Sequence, residues 1–386
     1  MRINIYFIAL VCFLFTACIS EKEQSSKTVI KTNDYGVLKG LIELIDIELL
    51  EYEGLANQMK IPKKVLSWGD DYVYQNWEGD MTTASVFILN EAFEPQRVIQ
   101  PNSGGPGSLR EITDFFIWKN ELHLYDFQSQ KFVIYNKNLN DYREVRSGFY
   151  YNSFAVTDSL LVAYGGKKVQ RVGEELFPFD LMVLGDQFRP VNYFKPFDNG
   201  RFNGSSLNTE RSLLSNGNEV FFTEFWSDTV LTIQKDKIMP AYTFAYETPL
   251  PEEVKSARLN EIITGMMQQK YVAYEKGAAP YHITDDLILY SFGSKDRLKN
   301  GIYNRRTHKS ITFRDYDQTL LEQLFKPHFY ENGIYTTFMY PYEMLDYLYN
   351  DLFIDVKVDD KLFAKLQEHN PDGSLVKVSY SISNEF

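Results

Sequence analysis

Six times along the chain, a polar turn pair leads straight into a short apolar run rich in aromatic and β-branched residues. Asp70-Asp71 precedes Tyr72-Val73-Tyr74, Asn120-Glu121 precedes Leu122-His123-Leu124-Tyr125, and Asp158-Ser159 precedes Leu160-Leu161-Val162. Asn218-Glu219 precedes Val220-Phe221-Phe222, Asp285-Asp286 precedes Leu287-Ile288-Leu289-Tyr290, and Asn332-Gly333 precedes Ile334-Tyr335. Turn residues placed before such runs punctuate strands. The recurrence averages about 52 residues, close to the length of a four-stranded propeller blade. Further runs at 85–89, 132–135, 181–184 and 229–233 supply hairpin partners. Aromatics make up 16% of the chain, with 27 Tyr and 29 Phe, and strands favour such residues. The expected fold is all-β, a six-bladed β-propeller over residues 34–386 with short helical insertions. A β-sandwich, or two separate β domains, is the alternative. A ring must also close, so strands from distant parts of the sequence are expected to meet.

Three helical insertions are expected. One runs from Pro251 to Gln269, with Val254, Ala257, Leu259, Ile262, Ile263 and Met266 partly following a helical stripe. A second spans Gln318 to Phe325. A third follows Asp359-Asp360, carries Leu362, Phe363 and Leu366 on one face, and stops near Asn370-Pro371. Leu375 to Ile382 then alternates as a final strand.

The N-terminus has a different character. After Arg2, residues 5–15 are apolar, too short a run to span a bilayer but suited to a signal-peptide core. The chain has only two cysteines, Cys12 and Cys18. Thr16-Ala17-Cys18 resembles the lipobox of bacterial lipoproteins, with Phe15 standing where Leu, Val or Ile is usual. That resemblance implies removal of residues 1–17 and lipid attachment at Cys18, which joins the chain to a membrane. A plain secretory signal with a coincidental cysteine is the alternative. Loss of Cys12 would leave Cys18 as the only cysteine, so no internal disulfide, Cys nucleophile or Cys-based zinc site is expected. Residues 18–33 read as a polar flexible tether. Ile19 is not the Asp associated with inner-membrane retention, so an outer-membrane lipoprotein is expected, facing the periplasm or the cell surface. Acidic residues after Cys18 also resemble surface-export signals of some Gram-negative lineages, and equally fit ordinary tether composition.

Gly104-Gly105-Pro106-Gly107, Ile112-Thr113-Asp114-Phe115, the run ending Tyr125-Asp126 and Lys131-Phe132-Val133-Ile134-Tyr135 together resemble one blade of the six-bladed β-propeller lipoproteins, NHL-like and TolB-like. Ser227-Asp228-Thr229-Val230-Leu231-Thr232-Ile233, followed by Ile238-Met239-Pro240-Ala241-Tyr242, resembles another. The resemblance covers roughly Gly104 to the C-terminus. It implies the fold and says almost nothing about activity, since propellers host many.

The search for chemistry finds no linear catalytic motif. The five histidines, His123, His282, His308, His328 and His369, include no metal-spaced pair. His123, between two leucines, reads as a blade residue. Asp70-Asp71, Asp285-Asp286 and Asp359-Asp360 are explained by turn and helix-start chemistry before paired-carboxylate catalysis. Gly104-Gly105-Pro106-Gly107 lacks the Lys and helix of a phosphate loop. No metal or cofactor is expected. A net charge of -12 makes nucleic acid an unsuitable partner, since phosphate binding needs a basic face. It also favours a neutral or cationic ligand.

The channel mouth is the natural concave site of a propeller. Residues flanking the cadences are expected to line it: Trp77, Tyr150, Tyr151, Trp226, His282 and Tyr340. For any one aromatic, core packing is the competing explanation. The expected function is a binding module for a glycan, peptide or envelope protein. The alternative is a glycan hydrolase or lyase whose site is assembled from separate blade loops.

Overall fold

The computed structural model describes residues 28–36, 40–52, 59–76, 84–102, 107–172, 174–197, 211–224, 226–294, 297–313, 324, 326–349, 360–368 and 374–386. Three strands open the chain: β1 (Thr28–Lys31), β2 (Tyr35–Gly36) and β3 (Ile42–Glu51). Blade I follows as β4 (Pro62–Trp68), β5 (Asp71–Asn76), β6 (Val86–Leu89) and β7 (Pro95–Ile99). Blade II is β8 (Asp114–Trp118), β9 (Glu121–Asp126), β10 (Lys131–Tyr135) and β11 (Tyr142–Arg146). Blade III is β12 (Ser153–Val156), β13 (Leu161–Tyr164), β16 (Phe179–Leu184) and β17 (Pro190–Pro196), with a hairpin of β14 (Gln170–Val172) and β15 (Glu175–Phe177) inserted between its second and third strands. Blade IV is β18 (Leu213–Ser215), β19 (Val220–Thr223), β20 (Thr229–Ile233) and β21 (Ile238–Ala245). Blade V is β22 (Lys276–Ile283), β23 (Leu287–Ser294), β24 (Arg297–Asn304) and β25 (Lys309–Phe313). Blade VI is β26 (Phe329–Glu331), β27 (Ile334–Met339) and β28 (Ser374–Ile382), completed by β3. The architecture is the expected six-bladed β-propeller.

All six turn pairs of the cadence fall at the same place, the hairpin joining the first and second strands of a blade. Lys119 and Asn120 both have positive φ, as do Asn332 and Gly333. Two left-handed residues in a row make the tight turn whose twist matches the flanking strands. The first strands pack against one another around the axis: β8 against β4 and β12, β12 against β18, β18 against β22, and β26 against β4. They therefore line the channel.

Closure comes from the N-terminus. β28 pairs antiparallel with β3, from Ser374 opposite Glu51 to Ile382 opposite Ile42. Before that, β1 adds in parallel to the outer edge of β21, and β2 to that of β25. β1, β2 and β3 thus bind blades IV, V and VI in turn. Within the span 18–33 expected as tether, residues 28–31 form β1 and pair with β21. Alternation explains this: Val29 faces outward, while Ile30 is fully buried among Phe221, Phe244 and Tyr290.

The insertion after β21 is two helices, α1 (Glu252–Lys255) and α2 (Leu259–Met267), rather than one from Pro251 to Gln269. Arg258 breaks it with extended backbone angles and leads into α2. α3 (Pro341–Tyr349) was not anticipated; Pro341 occupies its first position, and Glu343 accepts the Tyr340 N–H at 2.8 Å. α4 (Asp360–Glu368) stands where the third helix was expected and buries Leu366. The expected helix at 318–325 lies outside the described residues except for Leu324. Aromatic layers fill the spaces between blades. Between blades II and III, Phe116, Tyr125, Phe132, Phe154 and Phe188 pack together, and such ring contacts add to the burial of apolar area.

Candidate functional site

Antiparallel blades sort their connections between the two ends of the ring. Hairpins joining first to second and third to fourth strands lie at one end. The connections between blades, and those joining second to third strands, lie at the other. All the longer insertions belong to this second end: β14–β15, α1–α2, and α3–α4.

Just inside that end, the inner strands are joined by polar contacts. Lys64 Nζ pairs with Asp114 Oδ1 at 3.0 Å and donates to Phe115 O at 2.6 Å. Asp114 Oδ2 accepts the Phe154 N–H at 2.8 Å, and Lys63 Nζ donates to Thr113 O at 2.7 Å. Blades I, II and III are thereby clasped together. Burial pushes the Lys63 ammonium pKa down and Lys64 adds to this, while Asp114 and Glu111 pull it back up.

Arg211 makes the matching clasp across blades IV, V and VI. Its Nη1 donates to Tyr281 O at 3.0 Å and to Pro327 O at 2.8 Å. Those carbonyls immediately precede His282 and His328. Burial, then the charge of Arg211, hold the His282 imidazole down at about 3. Burial, Arg211 and Lys326 do the same for His328, also to about 3. Both rings are therefore neutral at physiological pH.

Aromatic side chains decorate the connections above the channel. Tyr150 is half-buried, 5.0 Å from Phe127, with the exposed Lys168 ammonium 4.0 Å above Phe127 and 5.3 Å from Tyr150. Buried Gln170 grips the Tyr150 backbone at both N–H and C=O, at 2.9 and 2.7 Å. Tyr340, also half-buried, stacks on Tyr342 with centroids 5.6 Å apart and planes at 12°, and Tyr342 is 53% exposed.

The remaining expected site residues fall elsewhere. Tyr151 is fully buried between blades II and III and donates its hydroxyl to Phe188 O at 2.8 Å. Trp226 is nearly buried, packed with Leu250 and Ile262 and edge-on to Tyr271 at 5.4 Å. Its φ of 62° is uncommon for a bulky residue. His282 lies on the inner strand β22, its ring 5.3 Å from Tyr330. Trp77 and Cys18 lie outside the described residues. The expected residues that the structure describes are thus spread over several blades, with His282 beside the first-to-second-strand hairpin of blade V, and do not form one compact pocket. His123 is buried in the core, stacked on Phe116 at 4.8 Å; burial lowers its pKa to about 4.

Sequence reasoning singled out neither Arg211 nor His328. A signal for His328 existed, since it precedes the turn at Asn332 by four residues, much as His282 precedes Asp285 by three. Both offsets fall within the first strand of a blade or just before it. Arg211 carried no comparable mark. Among the described residues, no three His, Cys, Asp or Glu side chains converge in a way that would hold a metal ion. No helix of the described residues is long and apolar enough to cross a membrane.

The sequence profile of a family described as a domain of unknown function, DUF4934, matches residues 96–378. No curated protein matches the chain. Among solved structures, a Bacteroides fragilis protein described as exported superposes with a TM-score of 0.69 at 15% identity, covering 93% of this chain and 100% of its own. A DUF4221 family member from Bacteroides vulgatus gives a TM-score of 0.46 at 9% identity, over 89% of this chain and 99% of its own. Virginiamycin B lyase from Staphylococcus aureus gives 0.38 at 13% identity, over 73% of this chain and 78% of its own. At these identities the first likeness establishes the fold, and the other two add nothing to it.

Proposed function

The chain belongs to the DUF4934 family, defined by a domain of unknown function, and on that premise we propose that it is a binding module of the cell envelope. It acts outside the cytoplasm, held at the outer membrane by a lipid on Cys18, and takes a glycan at the insertion-bearing end of its channel. The single observation carrying the glycan reading is the Tyr340–Tyr342 stack with one ring 53% exposed. Its counterpart on other blades is Tyr150 with Phe127 beneath Lys168. Rigid aromatic faces with few rotatable bonds suit stacking on sugar rings. The description of the Bacteroides fragilis protein as exported supports an extracytoplasmic location for this chain.

The test is a glycan array probed with the purified full-length protein in detergent, alongside Tyr342→Ala and Tyr150→Ala. Binding to one glycan class, weakened at least tenfold by either substitution, is the expected result. A blank array, or unchanged binding by both variants, would sink the reading.

A further inference from the structure

We propose that the exposed apolar face of α2 inserts into the lipid surface that bears the Cys18 anchor, giving the propeller a second point of contact with the membrane. This rests on the lipid-anchor reading above and extends it to a folded element.

The structure splits the helical stripe that was legible in the sequence. Leu259 and Ile262 are buried with Trp226 and Leu250. Ile263 is 40% exposed, Met266 43% and Met267 82%, the last being the most exposed large apolar side chain among the described residues. Residues three and four apart share a helix face, so these three form one outward cluster. With 3.6 residues per turn, Glu261 falls on another flank, about 120° round the helix from Met267. Exposed Arg258 stands just before the helix and exposed Lys270 three residues after it. Cations bracketing an apolar cluster suit entry between phosphate headgroups. The other acids of the insertion, Glu252 and Glu253, lie on α1, where Glu252 takes Lys255 at 2.7 Å.

The platform beneath the cluster is fixed. Trp226 meets Tyr271 edge-on at 5.4 Å, and Gly265 lets the Tyr271 ring lie where a Cβ would collide with it. Lys255 ties α1 to Asp228 at 3.1 Å. The helix stops at left-handed Gln269, with the Lys270 N–H returning to Gly265 O at 2.9 Å. Three apolar side chains are thus held out from the surface by a rigid scaffold. Two of them are methionines, whose flexible thioethers adapt to an irregular apolar phase.

The position of the anchor argues for lipid as the occupant. Cys18 stands ten positions before Thr28, and ten extended residues span at most about 36 Å. β1 pairs with Tyr242–Ala245 of β21, and the α1–α2 insertion leaves that same strand. A lipid on Cys18 therefore keeps the bilayer within that reach of the strand that carries α2. Tethering makes the second contact intramolecular, so a small apolar cluster suffices where it would not hold a free protein. The net charge of -12 resists anionic lipid at long range, but physiological salt confines that field to about 8 Å, and insertion acts at contact. Tyr342 of the glycan reading stands on α3 beside blade VI, two blades round the ring.

The experiment uses the full chain, lipidated by the cells that make it and reconstituted in vesicles of phosphatidylethanolamine with a minor share of phosphatidylglycerol. On the anchor reading Cys12 is removed and the lipid occupies the Cys18 sulfur, so Met267→Cys offers the one free thiol for a fluorescent label. Gln96→Cys, exposed on β7 of blade I across the ring, is the control. Lipids carrying a nitroxide on the acyl chain should quench the label at Met267→Cys several-fold more strongly than that at Gln96→Cys. A label at Asn260→Cys, also on the exposed side of α2, should be quenched likewise, and several-fold less once Ile263→Asp and Met267→Asp are added. All these positions are exposed, so the fold should survive, as an unchanged near-ultraviolet circular dichroism spectrum would verify. Equal quenching at Met267→Cys and Gln96→Cys, or quenching at Asn260→Cys untouched by the double substitution, overturns the proposal and leaves the anchor standing. Self-quenching at Met267→Cys that fades on dilution with unlabelled protein would assign the face to a second copy, and also overturns it. Protein that stays out of the vesicles altogether removes the anchor and the proposal together.

Discussion

Lys64 on the inner strand of blade I and Asp114 on that of blade II form an ion pair at 3.0 Å, and the second carboxylate oxygen of Asp114 takes the backbone N–H of Phe154 on blade III. One side chain therefore ties three blades at the channel wall. Its carboxylate is almost wholly buried, with 4% side-chain exposure. Asp114→Ala strands the Phe154 N–H and removes the partner of Lys64. Breaking a buried pair in this way costs about 3 kcal/mol or more. Urea unfolding should show the midpoint fall accordingly. A loss within error of zero would mean that the pair is not formed in solution.

A second ionic group joins blades III and IV. Lys167 contacts Asp180 and lies 2.5 Å from Glu224, which is also 2.8 Å from Lys195. Burial pushes the Glu224 carboxyl pKa up, but the two lysines outweigh it and hold the group at about 2. A carboxylate with a lowered folded-state pKa contributes stability above its unfolded value, about 4.3, and loses it as pH falls towards the folded value. Stability attributable to Glu224 should therefore vanish between about pH 4.3 and 2. Glu224→Gln should flatten that part of the stability curve by about 3 kcal/mol. Parallel curves for the two proteins across that window would contradict the ion-pair assignment.

The N-terminal strap makes its own prediction. Ile30 is fully buried on β1, against blade IV. Ile30→Ala should cost about 3 kcal/mol, as deletion of buried methyl groups does. Val29→Ala, on the outward side at 53% exposure, should cost well under 1 kcal/mol. Equal small effects would show that residues 28–31 behave as tether and not as strand.

The lipid anchor at Cys18 is tested in cells. Cys18→Ala should move the protein out of the membrane fraction, since no helix of the described residues offers another way across a bilayer. A variant as membrane-bound as the wild type would refute attachment through that cysteine.

Much of the ring was legible because it rests on local chemistry. Each cadence pair, such as Asn332-Gly333, sets a hairpin turn through its own backbone preferences, and the runs after it pair with their sequence neighbours. The alternation of residues 375–382 likewise announced β28. α3 was missed because its start follows a strand without a break, and its helical conformation depends on a single proline and the Glu343 contact. Tyr151 and Trp226 read as surface aromatics, since nothing in a linear sequence distinguishes a ring at the channel mouth from one wedged between blades.

By itself, then, the sequence determined the inner hairpins, their sixfold count and the closing final strand, and it carries an apolar run before Cys18, all matters of neighbouring residues. Only the tertiary structure decided that residues 28–31 belong to blade IV, that Lys64 meets Asp114, and that Arg211 sits against the carbonyls preceding His282 and His328. Those partners stand far apart in sequence, Arg211 and Pro327 by 116 positions. Their meeting follows from ring closure, which brings inner strands together around an axis that no local pattern of residues encodes.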